Sequence, residues 1–188
     1  MGKRGAQEGQ MQVDFPKQKY NLIVVDPPWP VKKIKIKARP NQVKMDYATM
    51  SVAEIESLPV MDIAETPCVL FLWTTQKHLF DAMSVLTGWG FNHLATMVWE
   101  KTYGISSGMP LFGFRWNAEF ILIGTHGKID AFPKRSLIPM VFSAENIGHS
   151  VKPDIFYEMV SVLGDKRIDL FARKERDGWD VWGDEVCK

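Results

Sequence analysis

The residues best suited to chemistry lie in residues 20–30, YNLIVVDPPWP, where an apolar run passes directly into an acid, two prolines and a tryptophan. Proline fixes its own φ and restricts the residue before it. Asp26-Pro27-Pro28-Trp29 is therefore a stiff, extended turn whose two prolines carry no N–H. What it offers a ligand is acceptors: the Asp26 carboxylate and carbonyls aimed in fixed directions. Such a cluster suits an NH2 group on a flat ring, with Trp29 as the stacking face. An exocyclic amine on a purine or pyrimidine is a poor nucleophile, because its lone pair is delocalised into the ring. Accepting one hydrogen at Asp26 and the other at the Pro27 carbonyl would fix the amine and help localise that lone pair toward an electrophile. Extruding a base from a duplex costs a few kcal/mol, and stacking it on an aromatic returns about 1–3 kcal/mol. Trp29 is accordingly assigned to base retention and Asp26 to chemistry. The other reading of the same residues is a loop-capping acid and a core tryptophan.

A turn of this kind must be held by something rigid. Residues 22–25 read as a buried strand that ends at Asp26. Continuous apolar runs at 68–73, 94–101, 119–124 and 167–173 read as further strands, and 136–142 as an edge strand because Pro139 cannot donate to a ladder. Residues 51–58 begin with a capping box, Ser51 then Glu54, and predict a short helix. Helical spacing recurs from residue 76 to a stop at Gly88, and from 152 to a stop at Gly164, with Pro153 in the first turn. Strands apolar on both faces and separated by helices indicate an α/β fold with a mostly parallel central sheet covered on both sides. Ligands of such folds bind beyond the C-terminal ends of the strands. Here those ends carry Asp26 to Trp29, Trp73 to Thr75, Trp99 to Lys101, and Arg173. The long connections, 30–50, 102–117 and 143–151, are candidate functional loops.

With 188 residues, 46% of them hydrophobic, the chain has enough apolar material for one core and is not a disordered segment. Residues 1–18 read as a flexible N-terminal arm before a single domain over 19–188. A formal charge of +1 makes affinity for a polyanion a matter of local charge distribution. Cys68 and Cys187 are too far apart and too few for a disulfide framework. No Cys/His cluster has zinc spacing, so no metal is expected. The polar start and the lack of a run near 20 apolar residues predict a soluble, intracellular, cytoplasmic protein without a membrane partner.

YNLIVVDPPW resembles the catalytic motif of the N6-adenine methyltransferases. DYATMSVAEIESLPV, VLFLWTT, MVWEKT, EFILIG, SVKPDIFYEMV and IDLFAR follow in the order found in the MT-A-seventy-like family, from about residue 20 to about residue 186. The resemblance implies a Rossmann-like methyltransferase fold, S-adenosylmethionine as cofactor, and nucleic acid as substrate, DNA in preference to RNA. It implies roles for Asp26, Pro27, Pro28 and Trp29 in catalysis. Tyr47 would gate the base pocket, and Glu119 and Lys152 would line the meeting point of base and cofactor. Asp26, Lys152, Arg173, Arg176, Asp184 and Glu185 would hold the cofactor: Arg173 and Arg176 at the ribose, Asp184 and Glu185 at the adenine. Relatives carry amides at the last two positions and at Arg176, so these three are departures. The early catalytic motif and late cofactor site account for the lack of a G-x-G loop after the first strand.

The segment 31–44 carries Lys32, Lys33, Lys35, Lys37, Arg39 and Lys44 with no acid. It reads as a phosphate-contacting stretch beside the base pocket, with Lys33, Lys35 and Lys37 as substrate contacts, or else as a solvated charge run or a short exposed strand. Six phosphate contacts would give a log–log salt slope of about −5. His78 reads as a surface or structural residue, and Trp73, Trp89, Trp99 and Trp182 as packing. Lys152 opposes a helix dipole where it stands, which predicts an anionic or polar partner. A homodimer would enlarge a small reading surface. Two rivals stand beside the DNA enzyme: an RNA methyltransferase, and a catalytically silent nucleic-acid-binding partner subunit.

Overall fold

The computed structural model of the chain describes residues 14–31, 49–102, 116–128, 137–146, 151–183 and 186. Tyr47, Lys33, Lys35, Lys37, Asp184 and Glu185 lie outside the described residues, as do Cys187 and most of the basic segment. Among the described residues seven strands form one sheet: β1 (Tyr20–Val25), β2 (Ala64–Thr74), β3 (Asn92–Lys101), β4 (Ala118–His126), β5 (Val141–Ala144), β6 (Arg167–Leu170) and β7 (Asp180–Trp182), in spatial order β5-β3-β4-β2-β1-β6-β7. Only β4 is antiparallel to its neighbours, while β1, β2, β6 and β7 pair in parallel, as do β3 and β5. The sheet is thus mostly parallel. The helices among the described residues are α1 (Val52–Glu56), α2 (Leu79–Gly88) and α3 (Asp154–Val160).

Alternation along the strands explains why both faces need cover. Ile23, Val25, Leu70, Leu72 and Leu122 point to the face packed by Ile55 of α1 and by Ala82, Val85 and Leu86 of α2. Leu22, Val24, Val69, Phe71 and Trp73 point to the opposite face, where Phe156, Tyr157 and Val160 of α3 close the second core. Each fully buried Leu, Ile or Phe contributes about 1.5–3 kcal/mol. The central strand β1, buried along nearly its whole length, is therefore a rigid support for the turn that follows it.

Several boundaries differ from the sequence expectation. β2 starts at Ala64, four residues before the apolar run, and β7 was not foreseen; its three residues give no periodic signal. The edge strand is Val141–Ala144, with Pro139 outside it, because the first ladder bond available runs from the Val98 N–H to the Met140 carbonyl (2.8 Å). Gly88 is the last residue of α2, and the left-handed turn falls at Gly90 (φ 87°). The capping box at Ser51 is formed in both directions, but α1 ends at Glu56. Within the predicted arm, Phe15 packs edge-on against Trp182 (5.0 Å), and the Asp14 carbonyl accepts from the Trp182 Nε1–H (3.1 Å). That short stretch is therefore bound to the domain. Among the described residues no helix is long and apolar enough to cross a membrane.

Candidate active site

The turn after β1 is built from its few donors. The Asp26 N–H reaches the Leu170 carbonyl (3.2 Å), extending the β1–β6 ladder one residue past the strand. The ladder stops there because Pro27 and Pro28 have no N–H. The Trp29 N–H closes back on the Pro27 carbonyl (2.8 Å), and the Pro28 carbonyl accepts from Met50 (2.9 Å). One lone pair of the Pro27 carbonyl is thus used internally, and Trp29 is the only backbone donor to it among the described residues.

The antiparallel direction of β4 has a direct consequence for this rim. Six strands bring their C-terminal ends here, and β4 brings its N-terminal end, placing Glu119 opposite Trp99. Lys152, in the segment leading into α3, places Nζ 3.1 Å from Asp26 Oδ2 and 3.0 Å from Glu119 Oε2. Lys101, at the end of β3, binds the other Glu119 oxygen at 2.5 Å. The result is an alternating row, Asp26, Lys152, Glu119, Lys101, all at least 84% removed from solvent. Indole faces lie beneath both ammoniums: Trp73 under Lys152 and Trp99 under Lys101, each 4.9 Å away. Sequence reading placed Lys101 on the rim without a role. Its partner Glu119 is the missing signal, visible only once β3 and β4 pair.

The row divides two acids by protonation behaviour. Burial pushes the Asp26 carboxyl above its ordinary range, with the Lys152 ammonium opposing that rise. Burial acts on Glu119 in the same sense, yet Lys152 and Lys101 together hold it below the usual carboxylate range. Burial also works against charge on Lys152, and its two carboxylate partners outweigh it. Glu119 is therefore the permanent anion that anchors Lys152, and Asp26 is the acid able to take up a proton.

Next to this row is a cleft whose lining includes Asp26, Lys152, Asp169, Phe171, Arg173 and Arg176. Phe171 turns the chain after β6 with φ 63°, the left-handed region otherwise favoured by glycine. Asp169 Oδ2 accepts from Tyr157 Oη (2.9 Å) and Arg176 Nη1 (3.0 Å), while Oδ1 has no partner among the described residues. Burial pushes the Asp169 carboxyl up to about 7 against the pull of Arg176. Among the described residues no cluster of three metal ligands forms.

Two expectations are corrected here. Trp29 is not an open stacking face: it is 8% exposed, its Nε1–H binds the Trp73 carbonyl (2.9 Å), and its ring stacks on His78 (5.6 Å, 11°). Trp29 is too tightly built into the core to receive a base on that side. Arg176 is not free for a ribose. Its guanidinium binds Asp169, Asp154 Oδ1 (3.2 Å) and the Lys152 carbonyl (3.4 Å), and lies 3.5 Å over the Tyr157 ring. It braces the cleft wall. Asp26, Glu119 and Lys152 meet on the rim, and Arg173 lines the cleft beside it.

The MT-A70 family model matches residues 20–185. The type II methyltransferase M.MunI of a Mycoplasma species is 29% identical, covering 92% of this chain and 80% of its own length. The human N(6)-adenine-specific methyltransferase METTL4 is 29% identical over 90% of this chain, and the chain spans 38% of that protein. The N6-methyladenosine RNA methyltransferase MTA1 of Cryphonectria parasitica is 30% identical over 90% of this chain and 52% of its own length. A match running from the start of the sheet to its last strand, with the acid, the lysine and the second acid meeting on one rim, shows that the chain belongs to the MT-A70 family.

Proposed function

We propose that the chain transfers a methyl group from S-adenosylmethionine to the N6 amine of adenine in nucleic acid, with DNA as the preferred polymer. The observation that carries this is the buried contact of Asp26 with Lys152, itself held by Glu119, at the mouth of a mixed-charge cleft. The cleft suits the cofactor. Its methionine end carries one ammonium and one carboxylate, and the cleft offers Asp169 Oδ1, buried without a donor, beside the cations Lys152 and Arg173. Asp184 and Glu185 would complete the adenine end. The cofactor's sulfonium supplies an already activated methyl, so no metal is called for. Asp26 and the open lone pair of Pro27 accept the two amine hydrogens and orient the nitrogen. The amine would attack the methyl carbon in line as its bond to sulfur breaks, sulfur would leave as a neutral thioether, and the proton would leave afterward, when the nitrogen has become strongly acidic. Asp26, raised by burial, is placed to receive it. Tyr47 would close the base pocket, and Lys33, Lys35 and Lys37 would meet phosphates.

Two of these relatives are named as a type II methyltransferase and an N(6)-adenine-specific methyltransferase, which supports adenine as the base methylated. The relative named for RNA makes RNA the second arm of the test. Transfer of labelled methyl to single-stranded DNA, duplex DNA and RNA, each with and without Asp26→Ala, decides it. Label recovered as N6-methyladenine in DNA and lost in the variant is the expected result. Label in RNA alone moves the substrate. No label in any polymer, with cofactor still bound, would overturn the catalytic reading in favour of a silent subunit.

A further inference from the structure

The catalytic turn is clamped from behind by a residue that sequence reading set aside. His78 is 7% exposed and sits between the end of β2 and the start of α2. Its Nδ1 lies 2.8 Å from Asp81 Oδ2, and its Nε2 lies 3.0 Å from the Pro30 carbonyl. Its ring lies parallel to the Trp29 indole. A carboxylate and a proline carbonyl only accept. A neutral imidazole donates from one nitrogen and accepts at the other, so it would leave one of these two contacts as lone pair against lone pair. Both are satisfied when the ring carries both protons. A cation stacked on an indole adds a further attraction. Lys77 Nζ also faces the Pro30 carbonyl (3.4 Å), and among the described residues Asp81 is the carboxylate within hydrogen-bond distance of the ring.

We propose that His78, as an imidazolium, is a positioning residue for methyl transfer. It fixes Trp29 by its face and Pro30 by its Nε2–H, and so holds the Asp26 to Pro30 turn in the geometry that presents Asp26. The logic is mechanical. Pro27, Pro28 and Pro30 leave the turn backbone only the Asp26 and Trp29 N–H groups as donors, so its position also depends on what donates to its carbonyls and packs on its one aromatic ring. Asp26 is tied to β6 at one end of the turn, and His78 ties down the other. Pro30 and His78 are 48 residues apart in sequence, and both stand clear of the cleft lining.

This proposal rests on the methyltransferase reading, and its test separates the two. Ring nitrogen shifts of 15N-histidine in the wild-type protein at neutral pH, with the His78 signal identified by its loss in His78→Gln, should show both nitrogens protonated. A neutral tautomer with Nε2 bare, leaving Pro30 to Lys77 alone, would overturn the proposal whatever the activity. In turnover assays, His78→Phe keeps the ring on Trp29 but has no donor. It should lower kcat by about 10²-fold, as misplacement of a reacting group by about 1 Å does, with cofactor KM within about twofold. His78→Gln returns an N–H near the former Nε2 and should recover kcat to within about tenfold of wild type. An unchanged kcat in His78→Phe, or equal losses in both variants that track their melting temperatures, would overturn it. If the wild-type protein transfers no methyl, the functional reading falls, and the nitrogen shifts still decide the proton state.

Discussion

At the residue scale the site is a balance of charges that cannot be altered one at a time. Lys152 neutralises two buried carboxylates and rests on Trp73. Lys152→Met keeps the volume and leaves Asp26 facing Glu119. Breaking a buried pair in this way destabilises by about 3 kcal/mol, and the loss grows as rising pH strips the proton that Asp26 would take up. Urea denaturation at two pH values measures it, and an unchanged midpoint would contradict the charge row. Asp169 makes a second prediction. Folded, its carboxyl holds a proton up to about 7, whereas the ordinary value is 3.8. The group therefore contributes stability below 3.8 that is lost as pH rises through about 7. Asp169→Asn should gain stability relative to wild type between about pH 5 and about pH 8. Parallel midpoint curves would refute this. Asp26 was legible in the sequence because an acid before two prolines at a strand end is chemically unusual. Trp29 was legible as a notable residue, but spacing does not say that a histidine 49 positions on stacks against one of its faces.

At the element scale the decisive feature is the reversed strand. EFILIG was readable as a strand and Glu119 as its opening residue, but the direction of β4 was not. The connection over 102–117 suits either sense, and an apolar run looks the same both ways. The element also contains its own constraint. A Cβ on Gly124 would lie 2.7 Å from Leu86 Cδ1 and 3.0 Å from Phe91 Cβ. The absence of a side chain is what lets α2 and the chain after it press onto β4. Gly124→Ala should destabilise by about 1–3 kcal/mol through overpacking. Thermal melting reads this, and a paired Leu86→Val should recover part of the loss if the contact is the cause. The capping box at Ser51 was legible because it is local. The edge strand was misplaced because its pairing is decided by β3, some 40 residues earlier in the chain.

At the scale of the whole molecule, fold class and sheet character were legible because two-faced apolar strands alternating with helices leave few solutions. The exact strand order was not, since pairing of β1 with β6 joins segments at opposite ends of the sequence. That pairing matters for how the protein comes into being. β3 and β4 are sequential neighbours, and β2 joins β4 across only about 50 residues, so this block can form early at modest loop-closure cost. Asp26 acquires its backbone bond only when Leu170 arrives. Pulse-labelled hydrogen exchange during refolding should protect Leu122 and Met97 before Val24 and Asp26, and simultaneous protection would refute that order. A chain emerging from the ribosome would then carry a finished half-sheet and an unfinished Asp26 turn. The segment holding Asp26 would be synthesised among the first and reach its final position among the last, so a partly made copy would lack the Asp26–Leu170 contact altogether.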